Sequence, residues 1–389
     1  MDHDVIIAGG GPAGLAFARS LADSGLNIAL VERQDEATLA GPAYDGREIA
    51  LTHRSVRTLR ELGAWGRIAT DDISELRAAN VFNGNSPLAL TFDTGSGRGR
   101  SLGWLVSNHH IRRSLFECVR LQANVALLTG VAVASIRAGP AGAEVSLSDG
   151  TQLRARLLVA ADSRLSMIRD QLGISAEMNR LGTAMLVCRV AHDGDHGHVA
   201  TEWFGHGYTI AMLPLNGRLS SAVLTVPLAE AERLAAMSDE LFGAELSARY
   251  RHRLGAMQVA SSRHVYPLVT SWARRFAVGG AALIGDTAVG MHPVTAHGFS
   301  LGLGGQALLA REIMKALRHG RDWADDRVLR RYEAGHRLAA RPIYAATNLV
   351  VRLYGDNRRG AGLVRQAGML AARRLPLIRA AVRRSLLNA

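Results

Sequence analysis

The sequence predicts an α/β fold: a parallel sheet assembled from βαβ units and interrupted by insertions of β character. Three observations predict it. Residues 5–8 form a short apolar run bounded by glycines, followed by helical spacing and a second apolar run at 28–31, which reads as a βαβ opening. Two later apolar runs, 153–160 and 281–284, lead into Asp162 and into Gly285-Asp286, as buried parallel strands do when they end at a site. Between them, 76–104 and 181–228 show short alternating segments with turn residues such as Asn83-Gly84-Asn85-Ser86-Pro87 and Pro214-Leu215-Asn216-Gly217, the pattern of antiparallel strands.

The elements follow in order. Residues 15–24 carry the first helix, and 28–31 the second strand. Residues 48–67 read as helix, with Leu51, Leu59 and Leu62 on one face. Helix returns at 108–121, strands at 131–136, 144–147 and 153–160. After the β-rich block at 181–228 come a helical stretch at 229–254, a buried strand within 275–285, and helix from 298 onward. This layout divides the chain into a first domain of 1–75, 104–180 and 271–330, a β-rich domain of 76–103 and 181–270, and a C-terminal helical segment of 331–389.

Composition narrows the class. The 389 residues are 48% apolar and 21% charged, as in an ordinary globular chain, which excludes disordered, collagen-like and disulfide-scaffold proteins. The two cysteines, Cys118 and Cys188, have no CxxC partner, so a disulfide framework or zinc site is not expected. The acidic start, Met1-Asp2-His3-Asp4, is the reverse of a signal peptide. No apolar run reaches the roughly 18 residues of a membrane span. The net charge of +12 is carried by Arg, with Lys315 the single lysine. It concentrates at the C-terminus, where nine Arg from Arg352 onward face one acid, Asp356.

Gly9-Gly10-Gly11-Pro12-Ala13-Gly14 is a GxGxxG placed after a strand and at the start of a helix. Gly9 suits the tight turn, Gly11 a close backbone approach to a pyrophosphate, and Gly14 close helix–strand packing. The helix N-terminus offers free N–H groups to the phosphates, and Glu32 at the end of the second strand can accept from a ribose hydroxyl. Asp162 and Asp286, each beyond a strand end, can hold further sugar or ribityl hydroxyls. Gly298 opens a helix over 299–316 whose N-terminus points at the same place. Gly302-Leu303-Gly304-Gly305-Gln306-Ala307 matches GxGxxA but lies inside helix, so it is not a second nucleotide site. His192, His196 and His198 read as a solvated hairpin loop, and no metal site is expected.

On these three elements the chain resembles the class A flavin-dependent aromatic hydroxylases over nearly its whole length. Asp45-Gly46-Arg47 with Ile49-Ala50-Leu51, Leu102-Gly103-Trp104 with Val106-Ser107-Asn108, and Pro267-Leu268 before the Gly-Asp element narrow the resemblance to the ubiquinone-biosynthesis hydroxylases. Ser163, Val289, Thr295-Ala296-His297-Gly298 and Gly305 depart from the wider pattern and are similar to the M-type branch, which acts on demethoxyubiquinol. The resemblance implies a Rossmann-like FAD-binding domain with an interleaved β-sheet substrate domain. It implies that Arg33, Arg47, Arg112 and Val133 contact FAD with Gly9, Gly11, Pro12, Ala13, Gly14, Glu32, Asp162, Gly285 and Asp286. It further implies that 293–301, with Pro293, Gly298, Phe299 and Ser300, wraps the isoalloxazine ring.

The implied reaction uses reduced FAD, O2 and a flavin C4a-hydroperoxide to hydroxylate a prenylated quinone precursor or phenol, with NAD(P)H or another reductant as donor. His292 and His297 are the candidate acid–base groups on the flavin loop, against loop stabilisation as the alternative. Leu375, Ile378, Val382 and Leu386 with Arg379, Arg383 and Arg384 make 373–389 an amphipathic basic helix suited to an anionic membrane surface, or else packed on the protein itself. A peripheral place on the inner face of the cytoplasmic membrane and membership of a quinone-biosynthesis complex are the corresponding expectations; nucleic-acid binding is not expected. The alternative functions are hydroxylation of a small soluble phenol and a non-catalytic flavoprotein subunit.

Overall fold

The parallel sheet forms because its strands are buried on both faces. In the computed structural model, which describes residues 1–84, 86, 89–93, 101–205 and 207–355, five parallel strands run in the order β19 (Ala281–Leu283), β11 (Gln152–Ala160), β1 (His3–Ala8), β2 (Ile28–Glu32) and β8 (Val125–Thr129). Val5, Ile6, Ile7, Leu157, Leu158 and Val159 are all fully buried, which explains why these segments read as unbroken apolar runs. The hairpin β9 (Val133–Gly139) and β10 (Gly142–Leu147) pairs onto the N-terminal half of β11, and β18 (Ala277–Val278) edges β19. Helices α1 (Pro12–Ser20), α4 (Asn108–Arg120), α8 (Gly298–Arg318) and α9 (Asp326–Gly355) pack around this core, and Ser20 Oγ donates to Gln306 Oε1 at 3.0 Å between α1 and α8. Shorter helices complete this half: α2 (Glu36–Ala40), α3 (His53–Glu61) and α5 (Met167–Gln171).

A small sheet of β3 (Glu48–Leu51), β7 (Gly103–Ser107) and β4 (Ile73–Leu76) lies beside it. This corrects the helix expected over 48–67: helix begins only at His53, capped by Thr52, and Glu48–Leu51 is held extended by pairing with β7.

The large second sheet contains β5 (Ala78–Asn83), β6 (Leu90–Asp93), β12 (Ala176–His192), β13 (Val199–Phe204), β14 (Thr209–Pro214), β15 (Leu219–Pro227), β16 (Met257–Val259), β17 (His264–Ala273) and β20 (Val289–Gly290). Its long strand β12 shifts register between Arg180 and Ala184, where Gly182 takes φ +69°. The pleat divides its residues in two. Ala184, Leu186, Cys188, Trp203, Ile210, Met212, Ala222 and Leu224 form a second core beneath α6 (Leu228–Ala235) and α7 (Asp239–Arg249), with Leu234, Phe242 and Leu246. The alternate residues look the other way. Burial raises both thiols, Cys188 to about 12, so each is a protonated, buried small side chain.

The small and large sheets are tied together by an ion pair on a buried carboxylate. The Glu48 side chain, 1% exposed, accepts from Arg189 Nη2 at 2.7 Å and from Ser107 Oγ at 2.7 Å. The boundary expected at 330/331 falls inside α9, whose Tyr332 is wholly buried and donates to the Leu283 carbonyl. The segment 373–389 lies outside the described residues. Among the described residues no helix is long and apolar enough to cross a membrane.

Candidate flavin and substrate site

The glycine loop after β1 is shaped by contacts that admit no side chain. Gly9 sits at φ +117°, and a Cβ there would overlap the Ala161 carbonyl; a Cβ on Gly14 would overlap the Gly9 carbonyl. Gly11 differs: it has an extended backbone (φ −75°, ψ 176°), and a Cβ would meet nothing within 4 Å. It is also the N-cap of α1, with no side chain capping the helix and Pro12 in the first turn. The helix therefore presents its free amides to open space, where an anionic ligand fits. Glu32 anchors the loop from β2, accepting the Gly10 N–H at 2.6 Å and the Gln34 N–H at 3.0 Å.

Basic groups surround this mouth. Arg33, Arg47 and Arg112 line the same cavity as Gly11, Pro12, Ala13 and Glu32. Arg47 pairs with Asp45 at 2.5 Å and Arg112 donates to Gln34 Oε1 at 2.6 Å. Burial pushes the Asp45 carboxyl up, but hydrogen bonds and charge from Arg47, with Asn108, outweigh it and hold the group below its ordinary value.

The two later acidic motifs meet here. Asp162, beyond β11, accepts from Ser166 Oγ at 2.7 Å and Thr287 Oγ1 at 3.1 Å. Asp286 pairs with Arg164 at 2.6 Å, and Arg164 also donates to the Val269 carbonyl. Both strand ends are thus stapled to one another, with Asp162, Gly285 and Asp286 on the cavity wall. Arg164, absent from the sequence-based set, is the cross-link.

The loop before α8 closes the opposite wall. His292 Nδ1 accepts the Val294 N–H at 3.1 Å, which leaves the ring proton on Nε2. Burial, then the nearby Arg164, lowers His292 to about 4, so it is neutral at physiological pH. Thr295 Oγ1 and Thr347 Oγ1, 2.9 Å apart, tie the loop to α9. Gly298, the first residue of α8, has nothing within 4 Å of a notional Cβ, and no side chain caps the helix. Like α1, α8 opens its amides to the cavity. Met291, His292, Pro293, Gly298 and Phe299 line it.

Three of the expected site residues do not line this cavity. Ser300 is buried toward α3, accepting from Ser55 Oγ at 2.9 Å. Val133 lies on the outer hairpin, and His297 is buried without lining the cavity. Gly9 and Gly14 shape the loop from behind. The 192–198 loop is also less solvated than expected: His192 is buried and bonded to the Gly194 carbonyl and Ser220 Oγ, and His196 to the Leu215 carbonyl.

The remaining wall is the inner face of the second sheet. Thr183, Met185 and Val187 from β12, Thr209, Ala211 and Leu213 from β14, and Val223 and Thr225 from β15 enlarge the space to a cavity of about 860 Å³. Among them stands one carboxyl, Glu202 of β13, which sequence reasoning passed over. Its only signal was an acid at an inward position of an otherwise ordinary strand, and which positions face inward depends on pairing that the sequence does not display.

The fit to FAD is good on this geometry: an open amide cradle for a diphosphate, basic groups beside it, and a second helix N-terminus facing a pocket wide enough for a ring system. Comparison with known proteins agrees. A family model described as an FAD binding domain matches residues 2–347. Ubiquinone hydroxylase UbiM of Neisseria meningitidis serogroup C is 42% identical over 390 residues, covering 99% of this chain and 85% of that protein. Ubiquinone hydroxylase UbiL of Rhodospirillum rubrum is 32% identical over 386 residues, covering 98% and 89%. Among solved structures, PqsL of P. aeruginosa in complex with 2-aminobenzoylacetate superposes with a TM-score of 0.77 at 22% identity, covering 93% of this chain and 99% of that one. The p-nitrophenol 4-monooxygenase PnpA from Pseudomonas putida does so with 0.76 at 17%, covering 99% and 98%; these two likenesses establish the fold. The chain belongs to the FAD-dependent monooxygenase family of the ubiquinone hydroxylases.

Proposed function

We propose that this protein hydroxylates the aromatic ring of a prenylated ubiquinone precursor such as demethoxyubiquinol, consuming O2 and electrons from NAD(P)H or another reductant. One observation carries the reading: the cavity that begins at two open helix N-termini continues, without a partition, along a largely uncharged sheet face large enough for a substituted ring. Bound FAD would supply the oxygen-transfer chemistry once reduced.

The chain's own residues supply binding, orientation and exclusion of water. The amides of α1, with Arg33, Arg47 and Arg112, would neutralise a diphosphate. The N-terminus of α8 favours negative charge on the ring system in front of Gly298. Neutral His292 would act as an Nε2–H donor rather than a cation. Met185, Val187, Leu213 and Val223 keep the reacting face dry, which protects oxidising equivalents from loss to water. The basic segment 373–389, by its sequence, suits contact with the membrane in which a prenylated substrate resides.

Complementation tests this reading. In a bacterial strain lacking its ring hydroxylases, the chain is expected to convert accumulated demethoxyubiquinone to the hydroxylated product, seen by quinone profiling. Unchanged profiles from a flavin-loaded, expressed protein would overturn it.

A further inference from the structure

We propose that Glu202 is the substrate-binding base of this cavity, holding the ring hydroxyl of a phenolic substrate and accepting its proton during hydroxylation. The inference deepens the reading above and rests on it.

The position of Glu202 is set by strand register. On β13, Trp203 turns into the second core while Glu202 turns to the cavity; Val81 of β5 and Ala211 of β14 are its direct cross-strand neighbours. Neither flanking strand sets an ionisable group beside it on that face. Among the described residues no hydrogen bond or ion pair is formed by its carboxyl, and burial alone perturbs it. Among the described residues, the other titratable and charged groups of the substrate end are Tyr208, whose hydroxyl donates to the Arg249 carbonyl, and, on the remaining walls, His292, Arg47 and the Arg164–Asp286 pair. Glu48 also lines the cavity but is paired with Arg189, and Glu32, Arg33, Arg112 and Asp162 lie with the glycine loop and the strand end beyond β11.

A lone carboxyl on a wall of aliphatic and threonine side chains costs folding free energy unless something else uses it. Burial raises its pKa to about 8, so it is mostly neutral in the empty cavity and, when ionised, a much stronger base than an ordinary carboxylate. A phenol is its complement. The neutral acid exchanges hydrogen bonds with the hydroxyl. The carboxylate takes the proton: the phenolic O–H bond breaks, its electron pair stays on the ring oxygen, and the proton moves to a Glu202 oxygen. The ring gains the electron density that hydroxylation requires.

Holoenzyme carrying Glu202→Gln and Glu202→Leu tests this, with short-chain demethoxyubiquinol and its dimethyl ether as probes, binding being read from the flavin absorbance. Glu202→Leu is expected to weaken quinol binding by about five- to tenfold and leave ether binding unchanged. Glu202→Gln is expected to bind the quinol nearly normally but lose about 100-fold in kcat. Wild-type kcat should rise with pH to a plateau above about 8, a limb absent from the Gln variant. FAD content equal to wild type shows that both variants fold. Equal quinol-to-ether preference in the wild type and the Leu variant, or an unchanged pH limb in the Gln variant, overturns the role of Glu202. Wild-type enzyme that binds the quinol but does not turn it over overturns the functional reading instead, while the binding comparison still decides the role of Glu202.

Discussion

At Gly11 the protein leaves open space on the cavity wall. Its backbone suits any L-residue and no atom lies within 4 Å of a notional Cβ. Gly11→Val is therefore expected to fold with a melting temperature close to wild type and to purify without its yellow colour; full flavin content would show that the cradle lies elsewhere. Gly14→Val would instead drive a side chain into the Gly9 carbonyl and damage the fold itself, so the pair separates binding from folding. Glu202 gives a second residue-level expectation. Its pKa is raised from 4.5 to about 8 in the folded state, so the folded protein holds a proton that the unfolded chain releases. Stability from that group is complete below about pH 4.5 and is lost as pH rises toward 8. Glu202→Gln should accordingly raise the melting temperature at pH 8.5 by several degrees and leave it unchanged at pH 4.5, as read by thermal unfolding.

Among the elements, α8 and α9 pack closely at a glycine. At Gly305, one of the departures noted above, the His336 ring of α9 occupies the space, 2.7 Å from a notional Cβ. His336 in turn stacks on Tyr332 and packs against Phe276. Gly305→Ala should push these helices apart and cost about 1–3 kcal/mol, measured by urea unfolding. Elements were legible in the sequence wherever their signal was local. The strand–glycine–helix opening, the buried strands ending at Asp162 and before Asp286, and the helix starting at Gly298 all announce themselves within a few residues. Glu48–Leu51 did not, because Ile49 and Leu51 have a spacing compatible with the helix that follows. Only the partner strand Gly103–Ser107, about 55 residues away, makes them extended. Val125–Thr129 was passed over for the same reason: it is an edge strand whose identity rests on pairing with β2.

For the whole molecule, charge and shape divide the work. The cavity draws its basic groups from the parallel-sheet half and its apolar wall from the second sheet, so no single stretch of sequence displays it. The charge excess belongs to the C-terminal segment. Removing 373–389 is expected to reduce co-sedimentation with anionic liposomes, most strongly at low salt, while flavin content stays at wild-type level; equal partitioning of both forms would assign the segment to packing on the protein.

The alternation along the second sheet has a further consequence for how such an enzyme can diversify. Each strand carries two interleaved alphabets, one read by the helices beneath and one read by whatever enters the pocket. Swapping Met185, Ala211 or Val223 rewrites the second text and leaves the first intact, so new ring substituents can be accommodated cheaply. Inserting one residue in Val199–Phe204 would transpose the two, presenting an indole to the pocket and burying an acid among hydrocarbons.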